Sequence, residues 1–281
     1  MDYAKFPDSY RYYSGAEKKK GILIQGRPYI VKFRKNSREG LRYNHVSEYL
    51  GSHIFQILGV PCQNTILGTY DGEDVVVIED FLKQDEVFVP FNGVGDTSLE
   101  ESPGNYRYSY QEIVSMIEAN RKLTDISYTE KMFWDIYTID ALIGNFDRHG
   151  SNWGFIKSEN RYRIAPVFDN GSCLFPALNT DEKLKRILKD DQELLKRVYT
   201  FPTSQIQDDA GHKSSYYEVI ISMKYDSCNE ALKRIIPRID MGRIAKVIES
   251  VDIISDVRKT FYKEILKLRY EKILLAAYKK L

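Results

Sequence analysis

Cysteine is scarce in this chain, and neither sign of charge is in excess. The three cysteines, Cys62, Cys173 and Cys228, are odd in number and far apart. That excludes a disulfide framework and any cysteine-based metal spacing. Lys plus Arg number 41 against 40 for Asp plus Glu, a net charge of +1. A protein that grips bulk nucleic acid through its phosphates carries a basic excess, so no direct nucleic-acid partner is expected. No apolar run approaches the roughly 20 residues that cross a bilayer, so no membrane partner is expected. Met1 to Tyr13 places Asp2, Lys5, Asp8 and Arg11 where a secretory signal needs an uninterrupted apolar stretch. The expected compartment is the cytoplasm; export without a signal peptide would leave no mark here. Nine prolines and 17 glycines among 281 residues are too few for a collagen-like or low-complexity chain.

What is present is the composition of a globular protein, 43% hydrophobic and 29% charged, long enough for one large domain or two ordinary ones. Gly21 to Gln25 and Tyr29 to Phe33 read as two strands joined by a turn at Gly26-Arg27-Pro28. Leu41 to Leu58 follows a helical period through Val46, Leu50, Ile54 and Leu58, ended by Gly59 and Pro61. Asn64 to Tyr70 and Val75 to Glu79 form a second strand pair about Asp71-Gly72. Phe88 to Asn105, with its prolines and glycines, reads as a loop or insertion. Beyond it most of the chain is helical by period: Glu130 to Ile143, Leu184 to Tyr199, and Arg243 to Lys280 in pieces. The expected fold is α+β with two lobes, a small β-rich one over residues 1–82 and a larger helical one over 83–281.

The chemistry concentrates in Gly144 to Trp153. This segment follows a helix and precedes a strand pair, Trp153 to Ile156 and Tyr162 to Phe168, whose far end carries Asp169-Asn170-Gly171. Two acid-bearing loops therefore bracket one hairpin. Phosphoryl transfer needs a carboxylate for the acceptor hydroxyl, oxygen ligands for Mg²⁺ and a cation on the phosphates. Asp147 suits the first role. Asn152, five positions later, and Asp169 supply hard oxygens for the metal; a kinase catalytic loop places its Asp and Asn at the same interval. Asp140, on the apolar face of its helix, reads as a structural anchor for Arg148.

Three ordered motifs carry a resemblance. Asn145 to Trp153 with Ala165 to Asp169, Ser14-Gly15-Ala16-Glu17-Lys18-Lys19, and Tyr29 to Phe33 together resemble the HipA-like serine/threonine protein kinases, most of all their short stand-alone CtkA-type members. The resemblance implies an ATP/Mg²⁺-dependent kinase with a protein-kinase-like fold. It implies that Ser14, Gly15, Ala16 and Lys18 cradle phosphate, that Lys32 reaches the α/β phosphates, and that backbone near Glu79 and Phe81 reads adenine. Asp147 is then the base, His149 a γ-phosphate contact, and Asn152 and Asp169 the metal ligands. Glu48 falls where the family has a helix glutamate that pairs with the lysine; lying roughly 200° from Val46 at ~100° per residue, it faces either the cleft or water. The implied partner is a protein substrate. Full-length HipA proteins carry a further amino-terminal region with contacts to an antitoxin, which leaves an antitoxin-like partner open here. A phosphate on Ser14 would place about two negative charges where ATP phosphates sit, so autophosphorylation there would silence the enzyme.

Two alternatives stand beside this reading. Asp147-Arg148-His149 with Asn152 also resembles the catalytic loop of phosphoinositide kinases, although Ser172 to Asp181 lacks the Lys and Arg that would hold an inositol phosphate. The other is a nucleotide-binding toxin component without independent activity. Arg258 to Lys280 patterns as a basic amphipathic helix, which either closes the large lobe or meets an acidic surface.

Overall fold

The computed structural model describes residues 1–11, 13, 18–93, 108–208 and 210–281. The amino-terminal region is built on a four-stranded antiparallel sheet of β1 (Lys19–Ile24), β2 (Arg27–Phe33), β5 (Thr65–Tyr70) and β6 (Glu73–Glu79), in the order β1-β2-β6-β5. A short hairpin, β3 (Asn36–Ser37) with β4 (Gly40–Leu41), and helix α1 (Asn44–Ile57) lie between β2 and β5. The β1–β2 turn is tighter than the sequence suggested. Gln25 and Gly26 both take positive φ, 51° and 77°, the two-residue geometry that matches strand twist, and Pro28 is already paired with Leu23 in the sheet. Strand alternation then sorts β2 into two faces. Val31 and Phe33 join Ile22, Val75, Val77 and Tyr3 in a small core, and Lys32 points to the other face.

The carboxy-terminal region begins with β7 (Val87–Pro90), which pairs with β8 (Gly154–Ser158) and, beyond it, β9 (Arg161–Ile164). The expected loop from Phe88 is therefore a strand as far as Pro90; alternating side chains and an open edge on β8 outweigh the flanking breakers. Residues 94–107 lie outside the described residues. Helix α2 (Tyr110–Ala119) precedes the long α3 (Ile126–Ile143), which is buried from Met132 to its end. Strand β9 stops at Ile164, short of the expected Phe168; Ala165 N still donates to Gly154 O at 2.9 Å, but Pro166 has no N–H to continue the ladder. The expected helix from Leu184 to Tyr199 is two, α4 (Asp181–Leu188) and α5 (Asp191–Tyr199). Asp190 separates them by accepting from Gln192 N and Glu193 N at 3.0 and 3.2 Å, a helix-start geometry that stops the preceding helix. A hairpin of β10 (Thr203–Gln207) and β11 (Lys213–Ser215) leads to α6 (Tyr216–Ile221), α7 (Asp226–Ile235), α8 (Met241–Glu249) and α9 (Asp256–Arg269), which runs on to α10 (Leu275–Tyr278). Helix α9 closes the large core with Phe261, Tyr262, Ile265 and Leu266. No helix among the described residues is long and apolar enough to cross a membrane.

Candidate active site

Helix α3 ends at Gly144, whose φ of 65° turns the chain into the 145–153 loop. The loop is held from beneath by one arginine. Arg148 donates from Nε to Asp140 Oδ2 at 2.9 Å and from Nη2 to Asp140 Oδ1 at 3.0 Å. Its Nη1 reaches the carbonyls of Asn152, at 3.1 Å, and of Phe168, and its Nη2 reaches Asn170 Oδ1 at 2.6 Å. Asn145 completes the base by donating to Asp140 Oδ1 at 3.1 Å. The anchoring role expected for Asp140 is the one seen, and the same guanidinium joins the loop to the 168–170 segment.

Asp147 and Asn152 sit on this support. Asn152 Nδ2 donates to the Asp147 carbonyl at 2.8 Å, which commits the amide nitrogen and makes Oδ1 the side chain's acceptor. Asp147 Oδ2 accepts from Ser172 Oγ at 3.4 Å, a contact the sequence did not announce. His149 Nε2 lies 3.9 Å from Asp147 Oδ1, and its Nδ1 accepts from Ser151 N at 3.2 Å. Burial raises the Asp147 pKa above the ordinary range; His149 pulls it down and the neighbouring Asp169 pushes it up.

Lys32 brings the amino-terminal sheet to the same place. Its Nζ donates to Asp169 Oδ1 at 2.8 Å and to Glu48 Oε2 at 3.2 Å. Glu48 is therefore turned inward, its side chain only 2% exposed. The open alternative for Glu48 resolves to the cleft, because α1 is enclosed on nearly every side and has no water face there. Asp169 takes φ of 56°, in the left-handed region that aspartate tolerates better than most non-glycine residues. Burial raises the Asp169 pKa, but Lys32, with Arg148 and Lys35, outweighs it and holds the carboxyl at about 2. Lys35 bears on Asp147 as well, and no motif had singled it out.

The hinge positions behave differently. Glu79 N donates to Asn64 O at 3.0 Å, and its carboxylate accepts from Asn64 Nδ2 at 2.8 Å and Arg27 Nη1 at 3.4 Å. Phe81 packs on Phe168 with ring centroids 5.9 Å apart, and Phe88 meets the same ring edge-on at 5.0 Å. This aromatic wall beside the hinge was not visible in the sequence, where Phe88 looked like loop and Phe168 like an ordinary strand residue. Between the hinge positions, Asp80 takes Arg11 Nη1 at 2.6 Å and Tyr13 OH at 2.8 Å.

Two expectations are not met among the described residues. Ser14, Gly15 and Ala16 lie outside the described residues. Lys18 is described, but the structure does not bring it to the others. Its Nζ pairs with Glu73 at 3.1 Å and lies 4.1 Å from the Phe33 ring centroid, on the sheet face opposite Lys32.

The donor set fits a hard divalent cation. Asp169 is an ionised oxygen donor, and Asn152 offers an amide oxygen. No group of three or more His, Cys, Asp or Glu that could hold a metal occurs among the described residues; a pair of oxygens is the protein's share where a triphosphate and water complete the shell.

Residues 12–239 match the HipA-like C-terminal domain family. The chain belongs to this HipA-like family. The serine/threonine-protein kinase CtkA of Helicobacter pylori is 35% identical over 256 residues, covering 89% of this chain and 78% of that protein. The crystal structure of the H. pylori proinflammatory kinase CtkA superposes with a TM-score of 0.89 at 32% identity, over 100% of this chain and 97% of that one. HipA of Shewanella oneidensis MR-1, solved with HipB and operator DNA, gives a TM-score of 0.61 at 16% identity, over 98% of this chain and 68% of that one, and shares the fold. The HipA-like chain therefore has the α+β fold of CtkA, with its β-rich region first and its helical region after.

Proposed function

We propose that this crevice transfers the γ-phosphoryl group of ATP to a serine or threonine hydroxyl of a protein, with Asp147 as base, Lys32 on the phosphates, and Asn152 and Asp169 on Mg²⁺. The chain is a kinase of the HipA-like family, similar to CtkA through most of its length; the assignment of roles is ours. One observation carries it. Lys32 reaches Asp169 across 137 positions of sequence at 2.8 Å, so the phosphate cation and the metal acid face one small volume.

Each residue then has a task. Lys32 exchanges Asp169 for phosphate oxygens when the nucleotide enters, while Glu48 keeps the ammonium aimed. Asp169 and Asn152 Oδ1 would hold Mg²⁺, which would supply positive charge against the phosphoryl oxygens during transfer. Asp147 accepts the proton of the acceptor hydroxyl. Its raised pKa makes it a better base than an exposed aspartate, and Ser172 orients the carboxylate. His149 stands beside the base and contacts the γ-phosphate. The Glu79 carbonyl and Phe81 amide read the adenine edge, with Phe168 against its face. Ser14, Gly15 and Ala16 are proposed as the phosphate loop, with Ser14 its autophosphorylation site. Lys18 would join them only by leaving Glu73.

A protein substrate is favoured over a phosphoinositide because residues 172–181 carry neither Lys nor Arg, and the curated relative is a serine/threonine-protein kinase. The cytoplasm is the compartment proposed. Family membership also makes an antitoxin-like protein the partner to look for, as HipB is to HipA in the Shewanella complex. The test is mass spectrometry of the chain and of added proteins after incubation with Mg²⁺ and ATP. Asp147→Asn is expected to lower kcat by about 10²- to 10⁴-fold with little change in KM for ATP. Equal phosphorylation by both forms overturns the assignment.

A further inference from the structure

Glu48 places its carboxyl group where polar groups are costly, and three donors converge on it. A buried carboxylate survives only when its oxygens are saturated with donors. Oε2 takes Lys32. Oε1 takes the backbone N–H of Asn170 at 2.8 Å and the side-chain amide of Gln63. Since a carboxylate only accepts, it is the amide nitrogen of Gln63 that must face it. The donors come from three places: β2, the connector after α1, and the residue beside the metal acid.

Gln63 itself is not free to move. Its backbone N donates to Val167 O at 2.9 Å, and Val167 N donates to Pro61 O at 2.8 Å. Its carbonyl takes Gln56 Nε2 at 3.0 Å. The connector is thereby stitched to the stretch that leads into Asp169. Asn170, with no exposed surface, completes the frame. Its Oδ1 takes Arg148, its Nδ2 donates to Ser52 Oγ at 3.0 Å, and Gln63 Nε2 reaches the same hydroxyl at 3.3 Å. None of these bonds is made by the side chains of Lys32, Asp147, Asn152 or Asp169.

We propose that Gln63 and Asn170 are positioning residues that latch the Glu48 carboxylate onto Lys32 before ATP arrives, so that the phosphate-binding cation is preassembled rather than recruited by movement of α1. The proposal rests on the roles given above to Lys32 and Glu48. It gives the residue after the metal aspartate a task of its own: Asn170 ties the catalytic loop, through Arg148, to α1, through Ser52 and Glu48. It also makes Gln63, which touches neither substrate nor metal, a determinant of ATP affinity.

A double-mutant cycle separates positioning from general support. Nucleotide affinity and KM for ATP are measured for wild type, Gln63→Met, Glu48→Gln and the double variant, with thermal unfolding of each. Gln63→Met keeps the shape and removes the donor; it is expected to raise KM for ATP about tenfold, and Glu48→Gln at least as much. Because Gln63 acts through Glu48, the double variant is expected to be no worse than Glu48→Gln alone. Factors that multiply, or a wild-type KM in Gln63→Met, overturn the latch. Ser52→Ala is the second variant should Gln63→Met fold poorly. It is expected to raise KM about threefold in the wild-type background and not at all beside Glu48→Gln; equal effects in both overturn the proposal. Lys32→Met tests the site reading separately, since lost ATP affinity there beside wild-type behaviour in Gln63→Met overturns the latch alone.

Discussion

His45 stands at the start of α1 with 1% of its surface exposed, and its Nδ1 has no hydrogen-bond partner among the described residues. Burial, reinforced by the fields of Arg34 and Arg258, lowers its pKa to about 3. In the unfolded chain an imidazole takes up its proton near pH 6.5. Between those values the unfolded state binds more protons, so stability falls as pH drops below about 6.5, by at most ~1.4 kcal/mol per pH unit. His45→Gln is expected to flatten that acid limb in urea titrations at pH 4–7, and an unchanged slope would assign it to other groups. The contrast among residues is instructive. That Asp147, Asn152 and Asp169 would lie together was legible because their two loops bracket one hairpin; phosphoryl transfer is the role proposed for them. Lys32 and Asp140 were legible through the segments around them. Gln63, Ser52 and Asn170 belong to no interval; a polar side chain in a connector reads as solvated until the fold buries it. Lys18 shows the converse, a lysine in a suggestive motif that the sheet turns to Glu73 on the far face.

At the scale of elements, α1 carries the most unexpected packing. Its apolar spacing was clear, yet its polar side is buried too, because Ser47, Glu48, Gly51 and Ser52 face the 169–173 segment. Gly51 permits the approach. A Cβ there would stand 2.8 Å from Asn170 Cβ and 3.0 Å from Cys173 Sγ. Gly51→Ala is therefore expected to push α1 away, costing about 1–3 kcal/mol of stability and weakening ATP binding with it. Thermal unfolding with and without ATP reads both effects; a stable variant with normal ATP binding would mean that the segment yields instead. The strands and helices that period marked are present, whereas their ends, and elements without a clear period, were not legible. Asp190 splits one helical pattern into α4 and α5 through its own carboxylate, and β7 forms where breakers promised loop because β8 offers it an edge.

Across the whole molecule, the carboxy-terminal helix settles a choice that its composition left open. Its basic pattern fitted a helix that closes the large lobe or one that meets an acidic surface. Arg258 and Arg269 are both 1% exposed. Arg269 donates from Nε to Ala141 O at 2.7 Å and from Nη1 to Arg197 O, capping the final turns of α3 and α5 where helix carbonyls carry partial negative charge. Burial lowers its pKa to about 10, so it stays charged at neutrality. Arg269→Met is expected to cost about 3 kcal/mol in urea unfolding, since the helix-end carbonyls of Ala141 and Arg197 lose their donor. Arg269→Lys should recover part of it; a loss under about 0.5 kcal/mol would show that water replaces the guanidinium.

The β-rich first part, the helical remainder and the two acid-bearing loops were determined by the sequence alone, because period and spacing are local properties of a chain. Which of two faces Glu48 takes, what holds Asn170, and where the basic side chains of the last helix end were decided only by tertiary structure. A charge or an amide chooses its partner by the cost of leaving water, and that cost exists only after distant segments have closed around it.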